Sequence, residues 1–173
     1  MAHPTAAPDE VSINPQLAEF LHGGLIIHLA TRSADLRPCS IIASGLRVEH
    51  PRRVTVFVTE AMGAPAFANL ADNGEMAITM VKVTDHRSIQ LKGRKLVDAP
   101  ATEADRQFQQ EYMERLRPEL MQVGVPRSIV NRLAWWPSRA IQMSVRDLYL
   151  QTPGADAGRR LEAGAGSLLR GRP

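Results

Sequence analysis

A single cysteine, Cys39, stands in the 173-residue chain, so no internal disulfide can form and thiolate zinc sites are excluded. Aromatic residues are scarce, at 5%. No apolar run approaches the ~18 residues needed to cross a bilayer. The longest, Gly24-Leu25-Ile26-Ile27-His28-Leu29-Ala30, is far shorter and carries a histidine. The start, Met1-Ala2-His3-Pro4-Thr5, lacks the basic-then-apolar layout of a secretory signal, and the expectation is a cytoplasmic protein with no membrane partner. Familiar catalytic signatures are missing too: no Gly-x-Gly-x-x-Gly after a strand, no phosphate loop, no Gly-x-Ser-x-Gly elbow. The five histidines (His3, His22, His28, His50, His86) include no i, i+4 pair, so no metal site is expected. Haem asks for only one axial residue and stays open on this count. Carboxylates such as Glu60, Asp72 and Glu75 fall at strand ends and turns, where solvated acids sit.

What is present is an ordinary globular composition, 44% hydrophobic and 23% charged, in a chain of one-domain size. Such a chain buries roughly 70% of the surface its unfolded form exposes. The net charge of +3 owes much to Arg159, Arg160, Arg170 and Arg172 near the end, with Arg146 upstream. A basic tail without a helix or aromatic platform beside it makes nucleic acid a minor partner class.

The periodicity predicts a flexible lead-in over residues 1–13, one domain over 14–152 and a flexible basic tail over 153–173. Asn14 and Pro15 suit the start of a helix bearing Leu17, Phe20 and Leu21, which Gly23-Gly24 ends. Three β-like runs follow, Leu25 to Thr31, Cys39 to Val48 and Arg53 to Thr59, with links too short for a parallel crossover. A short helix is expected around Ala64 to Leu70, then strands at Met76 to Val83 and Arg87 to Val97. Thr102 can cap a helix carrying Phe108, Tyr112, Leu116 and Leu120, which Pro118 should bend or break. A helix around Ser128 to Ala134 and a strand from Ala140 to Val145 complete the set. Six antiparallel strands with inserted helices predict a mainly β (α+β) fold, a small closed or nearly closed barrel.

The most informative stretch is Asp85-His86-Arg87-Ser88-Ile89-Gln90-Leu91-Lys92-Gly93. On a strand, Ser88, Gln90 and Lys92 share one face while Ile89 and Leu91 share the other. Hydrogen-bonding groups beside a cation suit a ligand with polar ring atoms and an anionic group, as in flavin mononucleotide (FMN). A solvated outer barrel face alternates in the same way, and cofactor and solvent readings both stay open here.

Leu29-Ala30-Thr31-Arg32, Arg37-Pro38, Arg53-Val54-Thr55-Val56-Phe57-Val58, Ala68-Asn69-Leu70, Asn73-Gly74-Glu75 and Arg87-Ser88-Ile89-Gln90-Leu91-Lys92-Gly93 occur in an order that resembles the FMN-binding split β-barrel superfamily. Within it the chain is similar to the pyridoxamine 5′-phosphate oxidase-like proteins, from about Leu17 to Gly158. The resemblance implies a six-stranded split barrel with peripheral helices and a homodimer holding FMN between its subunits. The bound flavin would carry the redox step for a small-molecule substrate, with a reduced nicotinamide or similar donor. The cofactor-binding residues it implies are Ser44, Thr59, Arg87, Ser88, Gln90, Lys92 and Trp136. The alternative is a non-catalytic flavin- or haem-binding protein.

Two departures bear on that choice. The oxidases carry an arginine in the second strand, where this chain reads Ser40-Ile41-Ile42-Ala43-Ser44, and an Arg/Lys pair where it reads Gly63-Ala64-Pro65. Each charge-assisted hydrogen bond is worth about 1.5–3 kcal/mol, so losing several weakens phosphate binding ~100-fold or more. The helix start expected at Gly63-Ala64 would offer backbone N–H groups in compensation.

Overall fold

A computed structural model describes residues 11–161. Helix α1 (Pro15–Leu21) starts where its sequence dictates: Asn14 Oδ1 accepts the Leu17 N–H at 2.8 Å and Pro15 occupies the first turn. Gly24 then turns the chain at φ +73°, and a Cβ there would meet the Arg115 backbone at 2.6 Å.

Seven strands follow rather than six: β1 (Ile26–Arg32), β2 (Pro38–Ala43), β3 (Gly45–His50), β4 (Arg53–Thr59), β5 (Glu75–Val81), β6 (Ser88–Pro100) and β7 (Ser138–Leu150). They form one antiparallel sheet in the order β2-β1-β5-β6-β7-β4-β3. The extra strand arises because the run Cys39 to Val48, continuous in sequence, changes partners at Ser44. Residues before it pair with β1 and residues after it pair with β4, while Ser44 itself donates its N–H to Phe57 O at 2.8 Å. The sheet thus curls until β2 approaches β4 across the seam. Inside, Ile27, Leu29, Val54, Val56, Val58, Ile78, Met80, Ile89, Leu91, Ile141, Met143 and Val145 are fully buried. On β1 and β5 this is the alternation expected of strands with one face on a core, whereas β4 is buried on both faces, with Phe57 packed against Phe108.

Helix α2 (Glu60–Asp72) begins four residues before the expected Ala64, with Thr59 as its N-cap. Gly63 and Ala64 therefore lie within the helix, Phe67 packs its ring over Gly63, and the expected N–H cradle is not at that position. Helix α3 (Glu103–Gln122) has the predicted Thr102 cap, elaborated into a reciprocal box with Asp105. Pro118 does not break it. Proline leaves the carbonyl four residues back, on Glu114, without its helical partner; Glu114 and Pro118 are both exposed, where the loss of that bond is tolerated. The second half of α3 is held by Met113, Leu116 and Leu120, which pack with Val130 of α4 (Arg127–Val130) and with Trp135.

Both segments expected as tails contribute described residues to this body. Val11 and Ile13 are buried, with Ile13 N–H donating to Pro51 O at 2.7 Å. After β7 the chain turns back: Leu150 N–H donates to Arg159 O, Leu161 N–H to Leu148 O, and Leu161 is buried. No helix among the described residues is long and apolar enough to cross a membrane.

Candidate functional site

Strand β6 presents its residues as the alternation predicts. Ile89 and Leu91 are fully buried, Gln90 is half-buried and Lys92 exposed on the outer side. Strand register extends that outer face into rows. One row runs Ile42, His28, Thr79, Gln90, Tyr149 across β2, β1, β5, β6 and β7, and the next runs Ser40, Ala30, Ala77, Lys92, Asp147. Gln90 Nε2 donates to Thr79 Oγ1 at 3.0 Å along the first row. The second row is low in the middle because Ala30 and Ala77 are neighbours. With strands ~4.8 Å apart, Ser40 to Lys92 spans roughly 14 Å.

Beside that row lies an open hollow of about 350 Å³, bordered by Ala30, Arg32, Glu75, Ala77, Lys92 and Arg146. Its third cation is placed by a bulge. Lys92 pairs with Asp147 but Gly93 pairs with Val145, so Arg146 is the extra residue of β7 and projects outward. Gly93 permits the close approach: a Cβ there would sit 1.9 Å from Ser144 O. Arg146 is neutralised by Glu75, which also binds Arg94 at 3.0 Å. Arg32 and Lys92 differ. Among the described residues neither has a carboxylate partner: Arg32 donates to Ser33 O at 3.3 Å, and Lys92 Nζ lies 4.6 Å from the Tyr149 ring centroid.

The other expected residues lie elsewhere. Ser88 is buried at the start of β6, its N–H donating to Thr152 Oγ1 at 3.0 Å. Arg87 sits in the preceding turn, bound to Asp85 at 2.8 Å and lying over the Phe20 ring. Ser44 is buried at the β2–β3 crossover, its hydroxyl within reach of Phe57 O and Gln109 Oε1. Thr59 pairs with Ser138 at the junction of β4 and β7, and the hydroxyls of both are buried without a partner. Trp136, before the cis bond to Pro137, has Arg106 over its ring at 5.6 Å. Within one chain, Gln90 and Lys92 share the open face. Thr59 and Trp136 sit at the opposite end of β7 from Asp147, the partner of Lys92.

Sequence reasoning missed Arg32, Ala30, Ala77, Arg146 and Tyr149. The period of two in β1 puts His28, Ala30 and Arg32 on one side, and could have found the first two of these. The outward aim of Arg146 depends on a bulge that no local pattern announces.

The side of β3 and β4 under α3 carries the perturbed ionisable groups other than Arg139, which its bond to Asp98 raises at the start of β7. Asp105 accepts from Arg47 at 2.8 Å, and Arg47 also donates to Glu49 at 2.8 Å while lying over the rings of Phe57 and Phe108. Burial pushes the Asp105 carboxyl up, but the bonds from the Thr102 backbone and from Arg47 outweigh it and hold it below the ordinary range. His22 Nε2 accepts the Val48 N–H at 3.0 Å, and burial, then Arg115 and Arg47, push its pKa down. The Tyr112 hydroxyl is raised by burial. These groups are tied to one another and to backbone, and none borders the hollow.

No family model and no curated protein matches the sequence. Solved structures do. HupZ of Group A Streptococcus superposes with a TM-score of 0.52 at 15% identity, covering 84% of this chain and 99% of that one. A Lactobacillus delbrueckii protein provisionally assigned as a pyridoxamine 5′-phosphate oxidase gives 0.51 at 11%, covering 80% and 93%. An F420 reductase gives 0.50 at 15%, covering 78% and 98%. The curled antiparallel sheet and these likenesses agree on one architecture, and the chain has the split-barrel fold that these structures share.

Proposed function

We propose that the protein is a homodimer that binds FMN on the open face of β1, β5 and β6, and acts as a flavin-dependent oxidoreductase on a small molecule. The observation that carries this reading is the pair of uncompensated cations, Arg32 and Lys92, beside an alanine floor. A phosphate is the natural partner for two cations left without carboxylates. They stand on β1 and β6, away from the positions of the oxidases' cations, and they answer in part for the charges missing at Ser40-Ile41-Ile42-Ala43-Ser44 and Gly63-Ala64-Pro65. Ala30 and Ala77 let a flat ring approach the sheet, and Gln90 beside them offers an amide to a polar ring edge. Bound FMN would supply hydride and single-electron transfer, while the chain binds it, orients it and limits water around it. A second copy over the face would close the hollow and could bring Trp136 to the ligand. Two proteins sharing the fold are named for redox catalysis, one as an F420 reductase and one provisionally as an oxidase, which favours an enzyme.

A non-catalytic carrier is the second reading, and one observation favours it: His28 stands exposed on the same face, between Ile42 and Thr79. A single imidazole is enough to ligate haem. The absorption spectrum of the purified protein, with mass spectrometry of what it releases on denaturation, separates the two. A flavin spectrum bleached by NADPH supports the oxidoreductase; a Soret band abolished by His28→Ala supports the haem carrier. Colourless protein with no affinity for added FMN would end the first reading.

A further inference from the structure

Lys92 and Asp147 stand opposite each other on β6 and β7, a register that ordinarily produces a cross-strand ion pair. They make none. Asp147 Oδ1 accepts instead from Arg160 Nε at 2.8 Å, and the Lys92 ammonium lies over the Tyr149 ring. Arg160 is fixed there by its backbone. Gly158 N–H donates to Leu150 O at 2.7 Å, Leu150 N–H to Arg159 O at 2.9 Å, and Leu161 N–H to Leu148 O at 2.8 Å. Tyr149 and Arg160 form a β-bridge, and Leu161 next to it is buried. The turn that brings the chain back uses Gly154 at φ +148° and Gly158 at φ +85°, where a side chain would be strained.

We propose that Arg160 is a positioning residue: by holding Asp147 it leaves the Lys92 ammonium available to an anionic group in the hollow. The C-terminal return then belongs to the binding face although it borders no part of the hollow itself. A guanidinium binds a carboxylate with a fixed donor geometry, whereas an ammonium is a mobile point charge that follows the nearest anion. Without Arg160, the cation facing Asp147 across the strands is Lys92, and the carboxylate competes directly with a bound phosphate. The inference rests on the proposed function only in taking that phosphate to be the phosphate of FMN.

The test uses the full chain and reads Lys92 directly. Trace acetylation, quantified per lysine by mass spectrometry, reports how much of the amine is free, and an ion pair keeps it protonated. In Arg160→Ala, labelling of Lys92 should fall at least threefold while Lys95, on the same strand, stays constant. Arg160→Ala combined with Asp147→Asn should restore Lys92 to the wild-type rate, and Asp147→Asn alone should leave it there. In parallel, Arg160→Ala should weaken FMN binding at least fivefold, the double variant should recover it, and riboflavin, which has no phosphate, should bind all forms alike. Unchanged Lys92 labelling in Arg160→Ala, or a loss that Asp147→Asn does not reverse, overturns the proposal. So does Asp147→Asn alone speeding the reaction, since Asp147 would then already act on Lys92 with Arg160 in place. Wild-type protein that binds no FMN yet shows the labelling pattern would overturn the flavin reading and uphold the competition for Asp147.

Discussion

The two sides of the barrel use their polar groups differently. Under α3, Arg47 serves Glu49 and Asp105, Asp105 caps its own helix, Thr55 donates to Glu49, and Tyr112 both accepts from Leu25 N–H and donates to Leu25 O. Charge on that side fixes a helix to a sheet. On the outer face of β1, β5 and β6, alanines lie where large side chains could have packed, and Arg32 and Lys92 have no carboxylate among the described residues. Buried polar networks hold a fold together when fully satisfied; unmatched charge beside an open floor is what binding requires. On the proposed reading, one side of the sheet serves stability and the other ligand recognition.

Four changes break or sharpen that contrast. Gly93→Val should do most harm, because even its Cβ would lie only 1.9 Å from the Ser144 carbonyl oxygen. A loss of about 4 kcal/mol or more in urea unfolding is expected, in the range reserved for core disruption. Tyr112→Phe keeps the ring and removes one hydroxyl, leaving the Leu25 N–H and C=O without that partner in the interior. It should cost about 2–3 kcal/mol and leave FMN affinity unchanged. Lys92→Ala with Gln90→Ala should do the reverse, weakening FMN at least tenfold, about 1.4 kcal/mol, while unfolding hardly moves. Equal FMN affinity would mean that the wrong face has been chosen.

The smallest effect is on pH dependence. His22 is held below its ordinary pKa of 6.5 by burial and by Arg115 and Arg47, so the unfolded chain takes up its proton more readily than the folded one. Stability must therefore fall as pH drops below about 6.5, by up to one proton's worth of slope, and His22→Gln should flatten that limb. A stability curve indifferent to His22 would show that its bond to Val48 N–H contributes little.

Much of the fold was legible because β-structure writes its alternation locally. Arg53–Thr59 has the expected bounds, the Asn14 and Thr102 caps are where hydroxyl and amide side chains put them, and Ile89 and Leu91 face inward as spacing dictates. The division at Ser44 was hidden because a strand that changes partners stays apolar throughout, and register is a property of two segments. The start of α2 was misplaced by four residues: the helix runs through Pro65, which lies on the exposed side beyond the first turn, where its missing bond is harmless. Of the site, the strand carrying Gln90 and Lys92 could be read directly. Ala30 and Arg32 alternate with the buried residues of β1, but their place beside Lys92 follows from a strand order that no single run carries, and Arg146 comes from a bulge.

Backbone NMR with added FMN tests the separation of the two sides most directly. Shifts should cluster on Ala30, Arg32, Ala77, Gln90 and Lys92, with little change at Asp105, Gln109 and Tyr112. Shifts confined to the residues under α3, or none at saturating FMN, would contradict it.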